Sequence, residues 1–268
     1  MKVFVVDIDK CSGCHNCQIA CKDEHCANDW MPYAKEQPNS GQFWMKVDQW
    51  DHGQVPKVRV EYLPQPCMHC DNPACQKAVP EAVYKREDGL VIIDPEKSKG
   101  HRELVDSCPY GRIYYNDALD IAQKCTGCAH LVDEGKVPHC VDLCATGALR
   151  FGDEEDFADE IANAEVLNPD SGCGPRVYYL NRPHLFIGGE VWDPEANEII
   201  ENATITLTMP DGSVRTTQTD DFGDFWFRRI DAGSYDLKVE AEGFVTQERK
   251  GIELTKSLNL GDFPLTRA

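Results

Sequence analysis

Cys11, Cys14, Cys17 and Cys21 stand in the order C-x2-C-x2-C-x3-C, and this spacing constrains the fold more than any other feature. One tight loop with two-residue gaps aims three thiolates at three corners of an iron–sulfur cubane. The fourth cysteine, starting a helix, points elsewhere. Common zinc sites do not repeat the two-residue gap in this way, because they pair separate C-x2-C knuckles. The chain holds 14 cysteines in 268 residues. A disulfide scaffold expects an exported chain, usually under ~100 residues. The start MKVFVVDIDKCSGC has no basic n-region, apolar h-region or twin arginine, so no export signal is expected here. The remaining explanation is metal.

Three further stretches carry cysteine. Cys67, Cys70 and Cys75 form C-x2-C-x4-C, Cys108 stands in Cys108-Pro109-Tyr110, and Cys125, Cys128, Cys140 and Cys144 form C-x2-C-x11-C-x3-C. The last spacing, taken alone, also fits a zinc ribbon. In two-cluster ferredoxins the fourth cysteine of each run ligates the other run's cluster. Crossing the first stretch with the last predicts one [4Fe–4S] cluster on Cys11, Cys14, Cys17 and Cys144. A second is then expected on Cys21, Cys125, Cys128 and Cys140. Crossing the middle pair predicts a third on Cys67, Cys70, Cys75 and Cys108. The complementary set falls on Val79, Ser98, His101 and Leu104, and none of these is cysteine. All four absences belong to a single cluster, so the crossed topology and the loss support each other.

Cys26 is expected on the same helix as Cys21, as a buried free thiol, while Cys173 sits in the loop Ser171-Gly172-Cys173-Gly174-Pro175 without a role. His69, inside Cys67-Met68-His69-Cys70, reads as a packing or hydrogen-bonding residue, since four thiolates already complete that set. Lys124, before Cys125, is either a solvated lysine or a positive charge that raises a cluster's reduction potential. The balance of 27 basic against 46 acidic residues gives −19. That excludes nucleic-acid or anionic-membrane binding through a diffuse basic face. No apolar run approaches the ~18 residues of a spanning helix. No nucleophile–base pair suggests catalysis on this chain.

The fold class expected is α+β: a double ferredoxin-like iron–sulfur domain over 1–152, an acidic helix and linker over 153–187, and an all-β sandwich over 188–268. Short strands are predicted at Val3–Ile8 and Leu90–Asp94. An insertion over 27–65 carries Trp30, Tyr33, Phe43, Trp44 and Trp50. Rings at that density suit either a surface buried against a large partner or a lid over a cluster. Glu154–Val166 reads as an acidic helix. Beyond Gly188 the period becomes two: Ala203, Ile205, Leu207 and Met209 alternate with threonines, and Tyr235, Leu237, Val239 and Ala241 alternate with polar residues. With turns at Pro210-Asp211-Gly212, Asp220-Asp221-Phe222-Gly223 and Asp231-Ala232-Gly233, this predicts about seven strands, each sheet having one wet face. Asp220, Asp221 and Asp224 read as turn chemistry more than as a calcium loop. The run Thr219–Phe225 followed by Ala232-Gly233-Ser234-Tyr235 resembles the carboxypeptidase-regulatory-like, transthyretin-like sandwich.

The stretches Pro66–Cys75, Cys108–Gly111, Lys124–His130 and Ala148–Gly152 resemble the iron–sulfur subunits of molybdenum and tungsten bis-pterin oxidoreductases of the dimethyl sulfoxide reductase type. The resemblance covers roughly residues 1–152, and the absent fourth cluster is the departure from it. In membrane-anchored relatives that cluster is the one nearest the quinol, and the two sharing the first and last stretches lie nearer the molybdenum. Cys21–His25, Tyr84–Gly89 and Arg176–Tyr179 are similar to three-cluster small subunits of transhydroxylases, hydroxylases and dehydroxylases of polyhydroxylated aromatics. The resemblance implies an electron-transfer subunit that docks on a large catalytic chain, with the Mo or W bis-molybdopterin guanine dinucleotide on that partner. The cytoplasm is the default compartment, and export together with a partner that carries a signal stays open. A freestanding polyferredoxin is the alternative.

Overall fold

The computed structural model describes every residue, Met1–Ala268. The chain divides into two compact units: Met1–Gln49 with Tyr62–Arg182, and Trp50–Glu61 with Pro183–Ala268. The first holds all 14 cysteines.

Strand β1 (Lys2–Asp7) is the spine of the first unit. Val3, Phe4, Val5 and Val6 are apolar on both faces, and all are buried, as a central strand requires. Helix α1 (Asn16–His25) follows, then the long strands β2 (Lys46–Gln54) and β3 (Lys57–Gln65), which pair with each other. Next come α2 (Ala74–Ala78), β4 (Val83–Lys85), β5 (Val91–Ile93) and α3 (Glu103–Ser107). They are followed by β6 (Tyr114–Asn116), β7 (Ile121–Gln123), α4 (Ala129–Asp133) and α5 (His139–Asp142). Strand β8 (Leu149–Asp153), the single-turn α6 (Ala158–Ile161) and β9 (Val177–Leu180) complete the unit. β1 lies between β8, antiparallel, and β9, parallel, while β4–β5 and β6–β7 are three-residue antiparallel hairpins. The connecting loops carry most of the thiols.

Two expectations change here. Helix α1 begins at Asn16, so Cys17 as well as Cys21 is helical, and it ends at His25. Cys26 is extended and bridges Gln37, with its Sγ 3.5 Å from the Pro38 carbonyl. Glu154–Val166 is no continuous helix but a 3-10 turn (Glu154–Phe157) followed by α6. Its acids are tied sideways instead, Glu154 to Arg176 at 2.9 Å and Glu160 to Arg150, which holds the segment against the sheet.

The second unit is built from eight strands: β10 (Leu185–Asp193), β11 (Glu198–Ile199), β12 (Thr204–Thr208), β13 (Val214–Gln218), β14 (Asp224–Ile230), β15 (Gly233–Glu240), β16 (Gln247–Leu254) and β17 (Leu258–Pro264). One sheet has the order β11-β10-β14, with β17 parallel on β10; the other is β13-β12-β15-β16. Ile205 pairs with Val239 and Leu207 with Leu237, so the period-two apolar faces meet in one core. Phe225, Phe227, Phe263 and Tyr235 share that core. Gly189 is needed beneath them, because a Cβ there would lie 2.6 Å from the Phe225 ring. The Asp220 carboxylate accepts the Phe222 and Asp224 amides at 3.0 and 2.9 Å, which is turn chemistry. The Trp50–Glu61 tip belongs here as well: the buried Lys57 ammonium pairs with Asp224 and stands 5.1 Å from the Trp226 ring centroid. No helix is long and apolar enough to cross a membrane.

Candidate metal centres

The first thiol set forms around a loop that only glycine permits. Gly13 has φ +66°, and a Cβ on it would lie 2.4 Å from the Tyr62 ring. His15 is left-handed as well, which turns Cys11 and Cys14 back toward Cys17 in the first turn of α1. Cys144 arrives from beyond α5, its Sγ accepting the Leu149 N–H at 3.3 Å. Burial pushes the Cys17 thiol up to about 12, with Cys11, Cys144 and Cys14 adding to it. Burial, Cys144 and Cys14 likewise raise Cys11. These four sulfurs therefore feel one another. Cys14 is exposed while Cys17 is buried, so the set sits at the surface.

The second set is deeper. Helix α1 packs on α5, which places Cys21 beside Cys140. Burial and then Cys125 push Cys21 up to about 12. Cys128 rises through burial, Cys21 and Cys125, and Cys140 through burial, Cys128, Cys125 and Cys21. The Gly127 amide donates to Cys125 Sγ at 3.3 Å, and Gln37 Nε2 lies 3.7 Å from Cys21 Sγ.

Cys67, Cys70, Cys75 and Cys108 line one pocket together with Tyr110, Ile113 and Lys124. The His69 and Arg112 amides donate to Cys67 and Cys108 sulfurs at 3.4 and 3.5 Å. Burial pushes Cys75 up to about 11; nearby Lys124 opposes that and Cys67 and Cys108 add to it. Cys173 is a fifth thiol beside this set, raising Cys70 alongside Cys67, and its Sγ lies 3.7 Å from the Ser171 carbonyl.

At the four positions where the crossed pattern lacks cysteine, the side chains are otherwise engaged. Val79 and Leu104 belong to one apolar cluster with Ala82, Val83, Ile93, Ile113 and Ala122. Buried Ser98 donates to the Pro95 carbonyl at 3.3 Å, and His101 pairs with Glu103 at 2.8 Å.

All three sets offer sulfur and nothing else, a soft donor set suited to iron–sulfur clusters. Burial raises thiols such as Cys17, Cys21 and Cys75, so binding iron there would have to displace their protons. These thiol-lined loops suit iron–sulfur clusters.

Sequence reading missed the side chains around the second set. His25 is buried, burial holding its ring neutral with a pKa lowered to about 3, and its Nε2 lies 3.8 Å from Cys128 Sγ. Glu24 accepts from His130 at 2.9 Å and lies 2.8 Å from His139, while Trp30 stacks on His130 with centroids 4.1 Å apart. Trp44 covers His25. Both tryptophans thus pack on histidines beside the second set, whereas Trp50 is exposed. The only advance signal was the Cys21-Lys22-Asp23-Glu24-His25 string. Lys124 is not solvated: it is 2 % exposed. Burial pulls its ammonium down, but Cys67, Cys75 and Cys125 outweigh burial and leave it raised.

Thiol-lined loops in the first unit and a separate β domain define an iron–sulfur protein with an appended sandwich. Comparison with known families agrees: residues 58–154 match the 4Fe-4S dicluster domain, and residues 187–266 the carboxypeptidase regulatory-like domain. The chain is 37 % identical to the pyrogallol hydroxytransferase small subunit of Pelobacter acidigallici, over 96 % of this chain and 97 % of that one. It is 32 % identical to the corresponding subunit of the tetrathionate reductase of Salmonella typhimurium, over 69 % and 74 %. With the corresponding subunit of the anaerobic dimethyl sulfoxide reductase of Escherichia coli it shares 33 % identity over 69 % and 86 %. The chain thus belongs to the family of iron–sulfur subunits of dimethyl sulfoxide reductase-type molybdenum enzymes.

Proposed function

We propose that this chain relays electrons to or from the large molybdopterin subunit of a heteromeric oxidoreductase, through three [4Fe–4S] clusters. One is held by Cys11, Cys14, Cys17 and Cys144, one by Cys21, Cys125, Cys128 and Cys140, and one by Cys67, Cys70, Cys75 and Cys108. The observation that carries the reading is that the fold brings thiols from distant stretches near one another, Cys144 to Cys17, Cys21 and Cys125 to Cys140, and Cys108 to Cys70. The ferredoxin-like module spans 1–152, the linker 153–187 and the sandwich 188–268, the last serving docking or stability. The partner holds molybdenum or tungsten and acts on polyhydroxylated aromatics, a substrate class suggested by the pyrogallol hydroxytransferase relative that aligns over 96 % of the chain.

Clusters held by these cysteines would supply one-electron transfer, and the chain's own residues would set where and how readily. Exposed Cys14 and half-buried Cys11 and Cys144 place the first cluster within reach of a docked partner. Buried amides at Cys67, Cys108, Cys125 and Cys144 donate to sulfur, which favours the reduced core and raises its potential. Anaerobic co-purification tests the reading. A stoichiometric large partner with Mo or W, and about twelve iron per small chain, is the expected result. A homogeneous iron-loaded monomer at working concentration supports a freestanding polyferredoxin instead.

A further inference from the structure

Two buried side chains reach across between the second and third thiol sets, each from the other set's loop. His69 stands in the Cys67–Cys70 loop with φ 43°; it is 2 % exposed, and its ring faces Phe4 with centroids 6.2 Å apart. His69 Nδ1 accepts the Val91 N–H at 2.9 Å. A backbone amide can only donate, so Nδ1 carries no proton and the neutral ring has its hydrogen on Nε2. That hydrogen faces Cys125 Sγ, 3.9 Å from Nε2. Gly127 packs beside this contact, where its φ of +65° and Leu90, 2.7 Å from any Cβ there, leave room for glycine alone. Lys124 runs the opposite way: its ammonium donates to the Val91 carbonyl and, at 3.0 Å, to the Cys125 carbonyl, and it interacts with the Cys67 sulfur. Val91 is thus held by His69 at its N–H and by Lys124 at its carbonyl. A histidine kept only for packing would not have its one remaining N–H aimed at a sulfur.

We propose that His69 is a positioning residue for electron transfer, donating its Nε2–H to the Cys125 thiolate and so linking the second cluster to the loop that holds the third. The inference rests on the ligation proposed above. A hydrogen bond to a ligand sulfur stabilises the reduced, more negative core and raises that cluster's potential. Electron exchange between clusters held by these two sets would oxidise one as it reduces the other, with His69 keeping its proton.

The experiment is a redox titration followed by electron paramagnetic resonance on the iron-loaded complex, comparing the natural chain with His69→Met and His69→Gln. The natural chain comes first. Fewer than three cubanes there overturns the ligation reading itself, whatever His69 does. With three present, His69→Met should keep its iron and lower one midpoint, leaving the other two in place. His69→Gln, whose side-chain amide restores a donor, should hold that midpoint near the natural value. Unmoved midpoints in His69→Met, or equal shifts in both variants, overturn the inference. Should His69→Met fail to load iron, pulsed resonance on 15N-histidine-labelled protein decides. The natural chain should show a 15N coupling on that cluster that His69→Gln has lost, with His25 contributing equally to both; identical spectra overturn the inference.

Discussion

The two units of this chain solve the same problem by different means. The Pro183–Ala268 unit closes two sheets over Phe225, Phe227, Phe263 and Tyr235, and its stability resides in apolar side chains. The cysteine-bearing unit has hairpins of three residues and helices of four to ten, and the centre of its core is occupied by thiols such as Cys17, Cys21, Cys67, Cys125 and Cys140. Such short elements cannot bury enough apolar surface on their own, and metal–sulfur bonds must hold the loops. Within that unit the contrast repeats on a smaller scale. One compartment is lined by Cys67, Cys70, Cys75 and Cys108, while Val79 and Leu104 fill another with packed side chains.

Removing iron should separate the units most sharply. Chelation should abolish hydrogen-exchange protection across Met1–Gln49 and Tyr62–Arg182 while β10–β17 keep theirs; loss of both together would break the contrast. Next in size is Cys144→Ala. It should remove the cluster on Cys11, Cys14 and Cys17, about four iron of about twelve, and leave the one on Cys125, Cys128 and Cys140. The reverse pattern in iron content and resonance spectra contradicts the crossed assignment. Phe263→Ala, at a buried sandwich position, should cost about 3–5 kcal/mol in denaturant unfolding with the iron count unchanged. Leu104→Ala, in the filled compartment, should cost about 2–5 kcal/mol, again without iron loss. The smallest effect is in pH. His25 is neutral when folded, its pKa lowered from 6.5 to about 3 by burial, so the unfolded state takes up its proton first. Its contribution is present above pH 6.5 and should be lost as pH falls toward 3. His25→Phe should flatten that slope in thermal melts.

Much of this was legible in the residues, for identifiable reasons. Ligand spacing needs no tertiary context, so Cys11–Cys21 announces an iron–sulfur loop directly, and Cys125–Cys144, which alone also fits zinc, is read beside it. Period-two alternation in Thr204–Thr208 and Gly233–Glu240 likewise reports a half-wet strand by itself, and both are strands. Other features depend on distant partners. Cys26 leaves the helix because its backbone bridges Gln37, and Glu154–Val166 breaks up because Arg150 and Arg176 pull its acids toward the sheet. Lys124 looks solvated until the fold surrounds it, and His69 shows its purpose only once Val91 and Cys125, 22 and 56 residues away, close on its two nitrogens.

The most direct test is anomalous diffraction at the iron edge from crystals of the loaded protein. Three four-iron peaks are expected, each within bonding distance of one set: Cys11, Cys14, Cys17 and Cys144; Cys21, Cys125, Cys128 and Cys140; Cys67, Cys70, Cys75 and Cys108. Iron beside Val79 and Leu104, single ions in place of cubanes, or a cluster whose ligands mix these sets would contradict the account.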